Sequence, residues 1–316
     1  MAESRTAVTA ALLGNAALAA LKGTAAGFTG SAAMLAETFH SIADTGNQVL
    51  LLVGMRLARR PPDRAHPFGH GKNVYFWSFV VSMMLFTVGG AFSIWEAIRH
   101  YLHPVPRTPA MWAYAILAGS FVFESISLGV ALHGVRTAAG SRPFREYWRE
   151  NRDPTLITVL AEDSAALVSL VIAGAGLWLS QITGDGVWDA AASASIGLLL
   201  LAVALVLAVE SHSLLIGERA PVWVERAIRS VVAADRDVRA IRELYTMNLG
   251  PRRILIVLGV TFARDLTGEE LAETIGQLQE HLIARLDGLT DRRLVVIEPA
   301  TASPPASRRT RAVLRR

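Results

Sequence analysis

The chain has 316 residues, of which 52% are hydrophobic and 18% are charged, and its mean hydropathy is +0.37. This composition is too apolar for an ordinary soluble protein of this length and predicts a polytopic membrane protein. The absence of cysteine excludes disulfides and thiolate metal sites. The formal net charge is +4, but the arginines cluster at the ends of apolar segments, as in membrane proteins, so no nucleic-acid partner is predicted.

Six stretches of the chain are long and apolar enough to cross a bilayer as helices, which takes about 20 residues each. Residues 1–217 are therefore predicted to form a six-helix transmembrane domain. The stretches run from Thr6 to Gly27, Ser31 to Met55, Tyr75 to Ile98, Ala110 to Gly134, Thr155 to Ser180 and Val187 to Val209.

The basic residues predict the orientation of these helices, because cytoplasmic loops carry an excess of positive charge. The links on one side contain Arg99 and Arg107. The links after the second and fourth stretches contain many more basic residues, namely Arg56, Arg59, Arg60, Arg64, Lys72, Arg136, Arg142, Arg145, Arg149 and Arg152. Both of these links and both termini are therefore predicted to be cytoplasmic, with the protein in the cell (inner) membrane.

After Gly217 the composition becomes that of a soluble domain. Residues 218–300 show the order helix, strand, strand, helix, strand, which fits a small two-layer α+β domain. Thr267 is a predicted N-cap for the second of these helices, because Glu270 follows three residues later. Residues 301–316 are rich in Pro, Ser and Arg, and they predict a disordered basic tail.

Ionisable residues inside the apolar stretches indicate a metal site. His40 and Asp44 lie four residues apart, so they project from the same face of a helix and can bind one cation. The alternative is that the buried histidine and aspartate only interact with each other and bind no metal, which is the commoner case in the cores of soluble proteins. Inside a bilayer an ionisable group is costly and usually functional, which favours the metal.

Further ligands are expected from neighbouring positions. Asp163 in the fifth stretch is the candidate third ligand, and Glu162, Glu37 or a water molecule is the candidate fourth. Glu37 lies one turn before His40, so it can instead orient the imidazole. Other polar residues in the apolar stretches are interpreted as structural partners in hydrogen bonds and ion pairs, namely Asn15, Lys22, Glu96 and Glu124.

A second cluster lies in the basic link after the second stretch. Asp63, His66 and His70 fall within eight residues, and neighbouring prolines and glycines restrict the chain around them. The cluster is interpreted either as a surface metal site or as solvated polar residues.

With these motifs, the chain resembles the cation diffusion facilitator family of zinc transporters from about Thr6 to Pro299. The resemblance rests on Ser31–Asp44, on Asp63 with His66-Pro-Phe-Gly-His70-Gly-Lys72, and on Leu214–Gly217. It implies six transmembrane helices, a cytoplasmic ferredoxin-like domain and a homodimer. It also implies that His40 and Asp44 bind transported zinc, and that Asp63, His66 and His70 match a second zinc site of a structural or regulatory kind.

One position departs from the family pattern. Members usually carry His or Asp four residues before the aspartate of the fifth helix, and this chain has Val159 there. The residues around Asp44 and Glu162 look most like a subgroup that contains a human mitochondrial zinc transporter. Glu162 is therefore the candidate replacement for the missing ligand.

The predicted function is exchange of a divalent cation for protons by alternating access, with export from the cytoplasm and no enzymatic activity. Zinc is favoured by the imidazole ligand, whereas the carboxylates also suit manganese, iron or cobalt. Two rival interpretations are a membrane-embedded metalloenzyme that activates water and a metal sensor whose soluble domain signals.

Overall fold

The computed structural model describes residues 2–103, 111–139, 154–251, 253–286 and 288–300. The basic residues at 107, 142, 145, 149 and 152 and the predicted disordered tail at 301–316 lie outside these ranges. The chain divides into two compact units. The first contains the chain up to Pro61 together with Lys72–Ile216, and the second contains Pro62–Gly71 together with the chain from Gly217. The division into functional domains stays a prediction.

Long helices make up the described part of the first unit. They are α1 (Ala2–Thr29), α2 (Ala32–Ala58), α3 (Asn73–Leu102), α4 (Met111–Ala139), α5 (Pro154–Thr183) and α6 (Val187–Ile216). Among the described residues, four helices are long and apolar enough to cross a membrane, and these belong to α3, α4, α5 and α6. Helices α1 and α2 have 28 and 27 residues. That all six helices cross a membrane stays a prediction.

The start of α2 is fixed by side chains from its own cap and from α6. Ser31 is the N-cap, and its hydroxyl oxygen accepts a hydrogen bond from the Met34 amide. Asp189 of α6 accepts hydrogen bonds of 2.6 Å from both the Ser31 hydroxyl and the Ala32 amide. A carboxylate at a helix N-terminus satisfies amides that have no intrahelical partner. This contact ties the start of α2 to the start of α6.

Small residues form much of the helix packing in the first unit. Ala33, Ala36 and Ala43 of α2 are fully buried. At Gly176 in α5, an added Cβ would overlap the side chain of Ala192 in α6. Small residues let helix backbones approach closely, as is usual between membrane helices. Helix α2 contacts α1, α3, α5 and α6, so its polar side chains face other helices on several sides.

The second unit has the predicted order of helices and strands. It consists of α7 (Val222–Ala234), β1 (Val238–Gly250), β2 (Arg253–Phe262), α8 (Gly268–Arg285) and β3 (Val295–Pro299). Strand β2 is central, pairing antiparallel with β1 and parallel with β3. The helices bury Ile228 and Leu278 against Ile256 of the sheet. This small sheet confirms the α+β prediction in its coarse form, and the ferredoxin-like assignment stays a prediction.

Two local features of the second unit follow from the sequence. Thr267 caps α8 in a capping box with Glu270, as predicted. These hydrogen bonds from Thr267 lower the pKa of Glu270. The segment 62–71 lies against the turn between β1 and β2, where a Cβ on Gly71 would overlap the Leu249 carbonyl. Only glycine at position 71 allows this close approach.

Candidate metal transport site

His40 and Asp44 lie together on α2, as their spacing predicts. The His40 Nε2 atom is 3.4 Å from the Asp44 Oδ2 atom, and the histidine is only 1% exposed. Among the described residues, neither His40 Nε2 nor Asp44 Oδ1 has a hydrogen-bond partner. Buried polar atoms without partners are rare in folded proteins. A nitrogen and an oxygen in this state are suitable ligands for a divalent cation.

The other ring nitrogen of His40 faces α5. Its Nδ1 atom is 3.2 Å from the hydroxyl oxygen of Ser169, which is fully buried. The Ser169 hydroxyl in turn donates a hydrogen bond of 2.9 Å to the Ala166 carbonyl of the same helix. The imidazole is therefore held between two helices.

Acidic residues from two further helices lie near Asp44. Glu162 and Asp163 of α5 and Glu124 of α4 lie close enough to Asp44 to interact with it electrostatically. Like charges in a buried region repel, and a divalent cation or bound protons would relieve that repulsion. The region is therefore suited to binding either of the two.

Glu162 and Asp163 contact different partners. Glu162 Oε1 accepts a hydrogen bond of 2.8 Å from the amide of Asn47 on α2. Asp163 Oδ2 accepts one of 2.9 Å from the hydroxyl of Ser127 on α4. Helix α5 thus directs one carboxylate towards α2 and the other towards α4.

The structure does not place all of the predicted ligands in one compact cluster. Within the described residues, the metal-ligating atoms of His40, Asp44 and Asp163 do not all lie within 4.8 Å of one another. His40 and Asp44 come together, while Asp163 is hydrogen-bonded to Ser127. The three-ligand site that includes Asp163 stays a prediction.

Glu37 forms a buried ion pair with α1. The Lys22 Nζ atom donates hydrogen bonds of 2.8 Å to Glu37 Oε2 and 2.9 Å to the Ser41 hydroxyl. Both charged residues are at most 1% exposed. This contact confirms the structural interpretation of Lys22. The observed neighbour of His40 Nδ1 is Ser169, so the structure offers an orienting partner for the imidazole other than Glu37.

Unpartnered atoms continue along α2 beyond the histidine. In the described part of the chain, Asn47 Oδ1 and Gln48 Oε1 are also buried without hydrogen-bond partners. Residues 40, 44, 47 and 48 follow helical spacing, so they share one side of α2. This side of the helix carries oxygen and nitrogen atoms that can bind a cation.

The loop cluster is compact. Asp63, His66 and His70 form the one group of three or more His, Cys, Asp or Glu residues in the described ranges whose ligand atoms all lie within 4.8 Å. The His66 amide donates to Asp63 Oδ1 at 2.6 Å, and His70 Nε2 lies 3.0 Å from Asp63 Oδ2. A turn from His66 to Gly69, with φ +81° at the glycine, brings the two imidazoles together.

These hydrogen bonds also favour the ionised form of Asp63. The His66 amide, followed by the His70 side chain, lowers the pKa of Asp63 to about 2. Asp63 is therefore an anion at neutral pH, which is the state that binds a metal.

Several residues at the site were not predicted as functional. Ser169, Asn47 and Ser127 contact the predicted ligands, and Glu124 adds a carboxylate. Some spacing signals existed, since Asn47 follows Asp44 by three residues and Ser127 follows Glu124 by three. Ser169 had no comparable signal, because its contact depends on how α5 packs against α2.

Comparison with known proteins gives the family. Residues 8–216 match the family model described as the cation efflux transmembrane domain. Over 238 residues, or 74% of the chain, it is 36% identical to the proton-coupled zinc antiporter SLC30A9, mitochondrial, of Xenopus laevis. The human protein of that name is 34% identical over the same share.

A plant relative is similar at the same level. The metal tolerance protein C4 of Arabidopsis thaliana is 34% identical over 68% of the chain. The matched regions span 42% of the animal proteins and 47% of the plant protein, so the chain spans less than half of these relatives. The family match over most of the chain confirms the resemblance drawn from its motifs: the chain belongs to the cation efflux, or cation diffusion facilitator, family.

Proposed function

We propose that the chain is a divalent cation/proton antiporter that moves zinc out of the cytoplasm by alternating access. The observation that carries this proposal is the buried pair on α2, with His40 Nε2 3.4 Å from Asp44 Oδ2. His40 Nε2 and Asp44 Oδ1 have no hydrogen-bond partner in the part of the chain that the structure describes. The names of the animal relatives, proton-coupled zinc antiporters, support zinc as the substrate.

The chemistry of coupling follows from the ligands. Zinc binds neutral imidazole and ionised carboxylate, so its arrival releases protons from groups that carried them. In this proposal Glu162 and Asp163 supply the remaining ligands. Asp163 first gives up its hydrogen bond with the Ser127 hydroxyl. Zinc or protons neutralise the buried carboxylates, and this lowers the free energy needed to switch the site from one face of the membrane to the other. Competition between the two occupants then couples their opposite movements.

The proposed architecture has six transmembrane helices with both termini in the cytoplasm. It also has a cytoplasmic ferredoxin-like domain at residues 218–300 and assembles as a homodimer. These features are typical of the family that the motifs identify. The mass of the purified protein in detergent, measured by light scattering, tests the dimer.

Asp63, His66 and His70 are proposed to hold a second zinc with a structural or regulatory role. Their ligand atoms already lie within 4.8 Å of one another. Three protein ligands leave a fourth position for water.

Transport in proteoliposomes tests the main proposal. We expect a pH gradient to drive zinc flux without ATP in the wild type, and Asp44→Asn or His40→Ala to reduce it to the rate of empty liposomes. Asp185→Asn is the matched control, because Asp185 is exposed between α5 and α6. Wild-type flux in Asp44→Asn would contradict the proposal. Substrate turnover without flux would favour the enzyme, and zinc binding without flux would favour the sensor.

The same assay addresses the choice of metal. The carboxylates around Asp44 also suit manganese, iron or cobalt. We expect zinc to be transported in preference to each of these when the two ions are supplied together, because the imidazole favours zinc. Preferred transport of manganese would reassign the substrate within the same mechanism.

A further inference from the structure

A buried chain of polar atoms connects α5 to the histidine of the proposed transport site. The Ala166 carbonyl accepts from the Ser169 hydroxyl at 2.9 Å, and Ser169 Oγ lies 3.2 Å from His40 Nδ1. Both Ser169 and His40 are at most 1% exposed. Water therefore has little access to these hydrogen-bonded atoms. The Ser169 hydroxyl and the His40 ring must accordingly find their hydrogen-bond partners within the protein.

The carbonyl determines where the serine proton lies. A carbonyl oxygen can only accept, and a serine hydroxyl has one proton to donate. With that proton directed to Ala166, Ser169 presents only lone pairs to His40. The Nδ1 atom must then carry a proton and donate it to Ser169. The distance of 3.2 Å is within the range of an N–H···O hydrogen bond.

The opposite tautomer is disfavoured by the other side of the ring. A proton on Nε2 would be buried, and Nε2 has no hydrogen-bond partner among the described residues. Asp44 Oδ2 lies 3.4 Å away, beyond the usual range of N–H···O distances. A buried donor without a partner is unfavourable. A bare lone pair on Nε2, by contrast, is what a metal ligand requires.

We propose that Ser169 is a positioning residue, which holds His40 in the Nδ1-protonated tautomer so that the Nε2 lone pair is directed to the cation beside Asp44. The role towards the cation rests on the proposed transport function, whereas the tautomer is a property of the metal-free protein. Without the hydroxyl, the ring loses its only described partner at Nδ1 and can take either tautomer or rotate. His40 molecules in the other tautomer or ring orientation then have to convert to the Nδ1-protonated form before they can bind a cation.

Nuclear magnetic resonance of the metal-free full chain tests the tautomer directly. Histidine labelled at its ring nitrogens reports which nitrogen is protonated, and the His40 signals are assigned by their loss in His40→Asn. We expect protonated Nδ1 and bare Nε2 in the wild type, and a shift towards the other tautomer in Ser169→Ala. A proton on Nε2 in the wild type, or an unchanged spectrum in Ser169→Ala, would overturn the proposal.

Zinc affinity tests the consequence for the site, and each zinc measurement is made in a His66→Ala/His70→Ala background so that the proposed loop site does not contribute. Loss of an orienting partner typically reduces metal affinity about 10–100-fold, and we expect this range for Ser169→Ala. Ser169→Thr keeps the hydroxyl and should restore most of the affinity. Ser193→Ala removes another fully buried hydroxyl, one that donates to the Ser93 carbonyl, and should leave zinc affinity unchanged. Equal losses in Ser169→Ala and Ser193→Ala would overturn the positioning role.

The two proposals can fail separately. If, with the loop histidines replaced, His40→Asn binds zinc as tightly as its parent, His40 is not a ligand and the proposed transport site is wrong. The resonances of metal-free His40 would still decide whether Ser169 sets the tautomer. If, in the same background, His40→Asn abolishes zinc binding and Ser169→Ala does not weaken it, the transport site stands and the role of Ser169 is refuted.

Discussion

At the scale of single residues, the chain uses histidine with aspartate in two different environments. Asp63 and His66 have side chains more than half exposed, whereas His40 is buried in the first unit. In the loop, the candidate ligand atoms lie close together and Asp63 is already ionised. In α2, the candidate pair packs against neighbouring helices, which exclude most water from His40. The loop therefore suits a resident ion, and the buried pair suits an ion whose binding is coupled to protons.

The ionisation of Asp63 gives a pH prediction for the loop. Its pKa is lowered to about 2, so the hydrogen bonds that lower it stabilise the loop above the ordinary aspartate pKa. This contribution is lost as the pH falls through about 2. Above about pH 7.5, where an ordinary imidazole is already neutral, we expect Asp63 to release no proton when zinc binds. Asp63→Asn removes a ligand and should weaken zinc binding by at least the roughly 10–100-fold typical for loss of an orienting partner, without changing the slope of log affinity against pH in this range.

Calorimetric titration of the full chain in the His40→Ala background isolates the loop for this measurement. Asp265→Asn, at an exposed aspartate of the second unit, is the control and should bind zinc as the parent does. A slope that changes by one proton in Asp63→Asn would mean that Asp63 is protonated before zinc binds, which would contradict its ionised state.

At the scale of elements, the ion pair between α1 and α2 gives a stability prediction. Lys22 is the only described hydrogen-bond donor to Glu37 Oε2, and both side chains are at most 2% exposed. Lys22→Met leaves a buried carboxylate without its cation, and breaking such a pair typically costs roughly 3–5 kcal/mol. We expect a loss of this size in the free energy of unfolding, measured by denaturant titration in detergent.

The double variant Lys22→Met/Glu37→Gln provides the control for this ion pair. It removes the carboxylate along with the lysine, so we expect it to recover much of the lost stability. If the double variant were no more stable than Lys22→Met, the loss would come from lysine packing, and the ion-pair explanation would be wrong.

The elements also show what could be predicted from the sequence. Local sequence patterns predicted the His40–Asp44 pair, the Thr267 cap of α8 and the succession of helices and strands along the second unit, because each depends on neighbours within a few residues. Contacts between helices were harder to predict. Ser169 on His40, Asn47 on Glu162 and Ser127 on Asp163 depend on the rotation and depth of α5 relative to α2 and α4. Apolar membrane helices constrain that rotation weakly, because hydrophobic residues occur on all sides.

At the scale of the whole molecule, the buried charges set a condition for the proposed transport. Glu124, Glu162 and Asp163 interact electrostatically with Asp44, and Lys22 supplies a positive charge nearby. Carboxylates outnumber this cation, so an empty and fully ionised site would carry net negative charge in a region of low dielectric. Such a site is costly. In the proposed alternating-access mechanism, the protein is therefore expected to change conformation with zinc or with protons bound.

This condition predicts a quantitative link between zinc accumulation and the pH gradient. Each proton exchanged contributes about 1.36 kcal/mol per pH unit, which is a tenfold change in the ratio of zinc concentrations. With the membrane potential held at zero, log of the accumulation ratio in proteoliposomes should therefore rise by one per pH unit for every proton exchanged. We expect a slope of at least one, with the lumen acidic, and no accumulation after addition of a protonophore. A slope of zero with continued zinc flux would mean that the cation crosses without proton exchange, and the antiport mechanism would then have to be abandoned although the metal site could remain.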